Sequence, residues 1–177
     1  MKVFTLGYQN LSPELYVRSL INAGVSMVLD VREHAWSQRP AFIKSNLERS
    51  LMAAGIQYLH LKRAGNPSRN RKTARSAAEC MRRYRSYLYG NRDCLNEVID
   101  AIQSAERTGV VTCLTCYERK ADDCHRAVLI EELIKLLPDL RAVHLEPTLE
   151  VKKKVENLRK PSLNATAFLA PQFLPFR

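Results

Sequence analysis

Apolar residues in this chain follow two alternating rhythms. Five short apolar runs have strand length: "KVFTLG" (2–7), "VSMVLDV" (25–31), "IQYLHL" (56–61), "VVTCLTC" (110–116) and "RAVHL" (141–145). Longer segments with helical spacing separate them. "SPELYVRSLINAG" sets Ser12 as N-cap, Pro13 at the first helical position, Glu14 in the first turn and Gly24 as terminator. "FIKSNLERSLMAAG" brings Leu47, Leu51 and Met52 to one face before Gly55. "TARSAAECMRRYRSYLY" and "CLNEVIDAIQSAERTG" read as two helices separated by "GNRD", and "CHRAVLIEELIKLLP" as the last helix before the fifth strand.

This alternation predicts an α/β fold: a three-layer sandwich around a mostly parallel, five-stranded, Rossmann-like sheet. The second strand is apolar on both faces, as a strand buried inside a parallel sheet would be. The pattern gives one domain over residues 1–146 and changes beyond it. Residues 147–177 read as a helix, "PTLEVKKKVENLRK", followed by the apolar, proline-containing tail "PSLNATAFLAPQFLPFR". That tail is expected to dock on this chain or on a protein partner.

Charge changes the picture in one place. The net charge is +10, and the basic insertion at about 62–92 holds most of it. Ten Lys or Arg residues there face Glu79 alone, so the span carries 10 − 1 = +9. Such a block suits phosphates on nucleic acid or a smaller ligand, with Arg82, Arg83 and Arg85 as its expected backbone contacts. A solvated loop is the bland alternative. No apolar run reaches the roughly 18 residues of a membrane span, and the N-terminus lacks the apolar core of a signal peptide. With five cysteines, an odd number, the expectation is reduced thiols and a cytoplasmic protein rather than a disulfide framework. Nothing in the chain calls for a cofactor.

Sites in parallel α/β sheets form where the strands end. Here the ends are Gly7-Tyr8, Asp30-Val31-Arg32, His60 and Cys116-Tyr117-Glu118, all polar or reactive. The fourth opens the densest stretch, "CLTCYERKADDCHR", Cys113 to Arg126. A zinc site of Cys113, Cys116, Cys124 and His125 is disfavoured, because strand alternation turns the first pair apart and neighbours on a helix diverge by about 100°. No metal is therefore expected. A thiolate at Cys124 fits better, at a helix N-terminus beside His125 and Arg126. Cys116 is its partner or a separate nucleophile. Cys113 reads as a small buried hydrophobe, and Cys80 and Cys94 as helix filler. Arg39 joins Arg32 and Arg126 in an expected anion site.

With these residues assembled, the chain resembles the domain-of-unknown-function 488 family from about Phe4 to Leu133. The carriers are the Gly-Tyr turn in "TLGYQN", the Asp-Val-Arg strand end in "VLDVRE", "RPAFIKSNLERSLMAAGIQYLHL", and the C-x-E…C-H-R element in "CYERKADDCHRAVLIEEL". "RAGNPSRN" departs from that family's Leu-Gly-Gly step after the third strand. The resemblance implies a compact α/β fold with these residues clustered. A fainter similarity is to rhodanese-type sulfurtransferases, which share a "DVRE"-like strand end and a strand–Cys–loop–helix site. The loop after Cys116 is longer than theirs.

Two functions compete at this stage. One is a cysteine-dependent enzyme on a phosphate-bearing or nucleic-acid substrate. Cys116, Glu118, Cys124 and His125 would do its chemistry, and Gly7, Tyr8, Asp30, Arg32, Arg39 and Arg126 would form the substrate site. The other is a non-catalytic nucleic-acid-binding or adaptor domain using the basic insertion.

Overall fold

The structure is a computed structural model and describes residues 1–147. The expected C-terminal helix and tail therefore lie outside the described residues. Five parallel strands, β1 (Lys2–Gly7), β2 (Met27–Asp30), β3 (Gln57–His60), β4 (Thr112–Cys116) and β5 (Arg141–His144), form one sheet in the order β3-β2-β4-β1-β5. This is the layered parallel architecture read from the sequence. Relative to the dinucleotide-binding order, the two central strands are exchanged.

Helices cover both faces. On one lie α1 (Pro13–Asn22) and α2 (Lys44–Ala53), which bury Leu15, Tyr16, Leu20, Leu47 and Leu51 against Phe4, Leu6 and Val28. Each of these leucines contributes about 1.5–3 kcal/mol by leaving water. Met52, expected on that face, is exposed because it sits one residue, about 100°, round the helix from Leu51. The α1 signals act as read: Ser12 Oγ accepts from the Leu15 N–H at 3.1 Å, and Gly24 ends the turn at φ +71°.

The other face carries a short α3 (Ser68–Thr73), then α4 (Ala77–Gly90), α5 (Arg92–Arg107) and α6 (His125–Leu136). The apolar positions of α5, Cys94, Leu95, Val98, Ile102 and Ala105, are all buried. A single residue, Asn91, separates α4 from α5, where a four-residue break is expected from the sequence. Neither α3 nor its cap is visible locally, since Glu33 from a distant loop accepts the Ser68 N–H at 2.6 Å.

The basic insertion is partly neutralised within the fold. Arg63 pairs with Glu97 at 2.7 Å and Arg83 with Glu79 at 2.6 Å. Arg85 bridges to α6 through Glu131 at 2.5 Å and through buried Glu132, which Lys135 also holds at 2.8 Å. Arg85 is thus a tie between helices as well as a surface cation. Among the described residues, no helix is long and apolar enough to cross a membrane.

Candidate functional site

The strand register brings the polar strand ends to one level. Gly7 lies opposite Cys116, and Asp30 lies between Thr115 and His60. Beyond this edge opens a cleft of about 480 Å³, lined by Tyr8, Arg32, Glu33, His34, Trp36, Ser37, Gln38, Arg39, Asn66, Arg71, Cys116, Tyr117, Glu118 and His125.

Asp30, fully buried, anchors one wall. Its carboxylate accepts from Arg32 Nε at 2.8 Å, from Arg32 Nη2 at 2.5 Å and from the Tyr58 hydroxyl at 2.7 Å. Arg32 Nη1 donates to the Tyr8 hydroxyl at 3.0 Å and to the Phe42 carbonyl at 2.8 Å. Burial works against the Arg32 charge, but the Asp30 carboxylate outweighs it and raises the pKa of the guanidinium. The Arg32 carbonyl is bound in turn by His60 Nε2 at 2.8 Å. Arg39 Nη1 donates to the Tyr8 carbonyl at 2.8 Å, and its Nη2 donates to that of Leu11.

The floor is a convergence of four reactive side chains. Cys116 Sγ lies 3.4 Å from Glu118 Oε2 and 3.7 Å from His125 Nδ1; Cys124 Sγ lies 3.8 Å from the same nitrogen. All four groups fall within 4.8 Å of one another. His125 is buried, and its Nε2 sits 2.8 Å from the Val31 carbonyl. A carbonyl only accepts, so Nε2 carries hydrogen and Nδ1 faces the sulfurs.

Two sequence-based expectations are corrected here. Cys124 and His125 do not diverge, because Cys124 is the N-cap, with extended φ −124° and ψ 146°, so its sulfur folds back onto the His125 ring. The metal-capable set also differs from the one weighed. Cys113 packs in the core on the α1–α2 side, and Glu118 takes its place beside Cys116, Cys124 and His125.

The electrostatics separate the two sulfurs. Burial opposes the Cys124 charge, yet hydrogen bonds from Cys116 and His125 and the charges of His125 and Arg126 hold its pKa well below the ordinary thiol range. The Cys124 sulfur, with burial, pushes Cys116 well above that range. Burial disfavours the His125 cation, but the neighbouring Cys124 raises its pKa; burial, then Cys124, raises Glu118. Cys124 is thus the more acidic of the two sulfurs, and the neighbouring His125 and Arg126 favour its charged form.

Three expected binding residues lie behind the cleft wall. Asp30 acts through Arg32, as above. Arg126, 1% exposed, donates from Nη2 to the Glu118 carbonyl at 2.6 Å and from Nε to Cys124 Sγ at 3.3 Å. Gly7 packs under the same loop, where an added β-carbon would sit 1.7 Å from Glu118 O. Tyr8, Arg32, Arg39, Cys116, Glu118 and His125 do line the cleft. Sequence reading gave no site role to the loop "EHAWSQ", to Asn66 or to Arg71, and named Tyr117 only as part of its strand end. The loop's signal was its place directly after the Asp-Val-Arg strand end. Arg82 and Arg83 lie elsewhere, on a groove of about 700 Å³ shared with Arg69, Tyr87 and Asn91.

Comparison with known families matches residues 12–133 to the family described as "domain of unknown function DUF488". The chain belongs to the DUF488 family. The match spans both Asp30-Val31-Arg32 and Cys116 to Arg126, while Gly7 and Tyr8 lie just before it. No curated protein and no solved structure matches the chain.

Proposed function

We propose that this DUF488 protein is a cysteine-dependent enzyme acting on a phosphate-bearing substrate. The observation that carries the reading is the convergence of Cys116, Glu118, Cys124 and His125 on the floor of a cleft that also holds Arg32, Arg39 and Arg71. A cleft of this volume suits a nucleotide-sized molecule. Arg39 and Arg71 bind its anionic groups, and Arg32, held by Asp30, adds its charge to that wall.

Cys116 is the sulfur that faces the cleft and Cys124 the one that carries charge. The Cys116 proton passes to Cys124 as Cys116 Sγ bonds to the electrophilic atom of the substrate. The bond from that atom to the leaving group breaks, and the leaving group takes its electron pair and the Glu118 proton. Water then attacks the thio-adduct and gives a proton to the Glu118 carboxylate. The departing Cys116 sulfur recovers its proton from Cys124, which restores the starting state.

Alkylation by paired reagents tests this reading. Iodoacetate, an anion, is expected to modify Cys116 or Cys124 faster than neutral iodoacetamide does, relative to a free thiol. Inorganic pyrophosphate and the Arg39→Gln change should each reduce that preference. Equal, slow labelling of all five cysteines by both reagents would remove the basis for an enzyme.

The groove formed by Arg69, Arg82 and Arg83 favours a second reading, a non-catalytic nucleic-acid-binding domain. Tyr87 lies beside these cations, as in surfaces that combine backbone contact with stacking. In that case the cysteines would be dispensable for binding.

A further inference from the structure

We infer that Cys116, Glu118, Cys124 and His125 form a binding site for one divalent cation of the zinc class. Zinc takes sulfur at about 2.3 Å and nitrogen or oxygen at about 2.0–2.2 Å, so a sulfur and a nitrogen or oxygen on a tetrahedral ion stand about 3.5–3.7 Å apart. The separations here are 3.4 Å for Cys116–Glu118, 3.7 Å for Cys116–His125 and 3.8 Å for Cys124–His125. The remaining pairs lie within 4.8 Å, so small side-chain rotations would close the set around one ion. Two sulfurs, an imidazole nitrogen and a carboxylate form a donor set that selects zinc, cobalt or cadmium over magnesium and calcium.

The surroundings fit independently of the distances. His125 Nε2 is held by the Val31 carbonyl, the contact that orients a metal-binding imidazole and leaves Nδ1 free to coordinate. Arg126 donates to Cys124 Sγ, and of its hydrogen-bond partners (Glu118 O, Arg119 O, Lys120 O, Thr5 Oγ1 and Cys124 Sγ) only the sulfur can carry negative charge. Two thiolates, one carboxylate and a dication sum to −1, which this buried guanidinium balances. Cys116, Glu118 and His125 face the cleft, and the carboxylate, the weakest of these donors for zinc, is the ligand a small anion would displace.

Binding displaces whatever protons these four groups hold, and involves no electron transfer. The metal uses the same sulfur atoms as the proposed thiol chemistry. The loaded chain therefore masks the nucleophile and the metal-free chain exposes it. This consequence rests on the proposed reaction; the binding itself rests on the arrangement of the four side chains.

Titration of the metal-free, full-length protein with Co²⁺ tests the site. One equivalent should give thiolate-to-cobalt charge transfer and the visible bands of a tetrahedral ion, both bleached by Zn²⁺. Cys124→Ser, Cys116→Ser and Glu118→Gln should each weaken binding, about tenfold or more, with circular dichroism confirming the fold. Absence of the cobalt spectrum in the wild type, or its persistence in both cysteine variants, would overturn the inference. Iodoacetamide labelling with and without Zn²⁺ separates the two claims. A cobalt spectrum with slow, uniform labelling of the metal-free chain keeps the metal and removes the nucleophile. Fast labelling of the pair without a cobalt spectrum does the reverse.

Discussion

The carbonyl oxygen of Glu118 occupies the space that a β-carbon on Gly7 would need, 1.7 Å from its ideal position. Arg126 fastens the same carbonyl at 2.6 Å, with its Nη2 only 2.9 Å from that β-carbon position. The first strand end thus fixes the loop that carries Glu118. Gly7→Ala should force this backbone outward and lower stability by about 1–3 kcal/mol, as overpacking does. Urea midpoints measure the cost, and no change would show that the loop is not held there.

Asp30 and Arg32 form a buried ion pair whose partners are nearly all internal. Asp30→Asn leaves a buried guanidinium without its counter-charge and should cost about 3–5 kcal/mol. Thermal unfolding reads the loss. A change within error would mean that the Tyr8 and Phe42 contacts suffice for Arg32.

Burial acts to raise the Glu132 carboxyl, but hydrogen bonds from Lys135 and Arg85 outweigh it and hold its pKa below the ordinary range. A depressed carboxyl stabilises the fold above its unfolded value, and that contribution fades as pH falls through the folded value. Glu132→Gln should therefore cost about 1–3 kcal/mol near neutral pH, with the gap closing below about pH 4. A gap independent of pH would contradict the assignment. Arg85→Ala should share part of this cost, unlike substitution of a purely surface cation.

If the basic insertion contacts about 4–6 phosphates of duplex DNA, log K should fall with log salt at a slope of about −4 to −5. Arg82→Ala should flatten that slope without moving the thermal midpoint, because Arg82 faces the groove of Arg69 and Arg83. Failure to bind DNA, RNA or polyphosphate at low salt would remove the nucleic-acid reading.

Much of the fold was legible because local signals and tertiary packing agree. Ser12, Pro13 and Gly24 mark α1 in sequence and in space, and the buried run of β2 marks a central strand. What escaped was set by distant partners: Glu33 caps α3, and Arg85 crosses to Glu132. The site was legible as a set of strand ends, since the parallel sheet delivers them to one edge. Its internal geometry was not. One backbone conformation, the extended N-cap at Cys124, turns two sulfurs toward one imidazole nitrogen, and residue spacing along a helix predicts the opposite.

The proposed reaction requires that His125 make the Cys116–Cys124 pair a reactive thiol centre. Its most direct test is the site-resolved rate of iodoacetamide labelling at neutral pH, in metal-free wild type and in folded His125→Asn. Cys116 or Cys124 should be modified well ahead of Cys80 and Cys113, and His125→Asn should slow this by about tenfold or more as the thiolate loses its cation. A pair that labels no faster than Cys113, or whose rate survives the loss of His125, would contradict it.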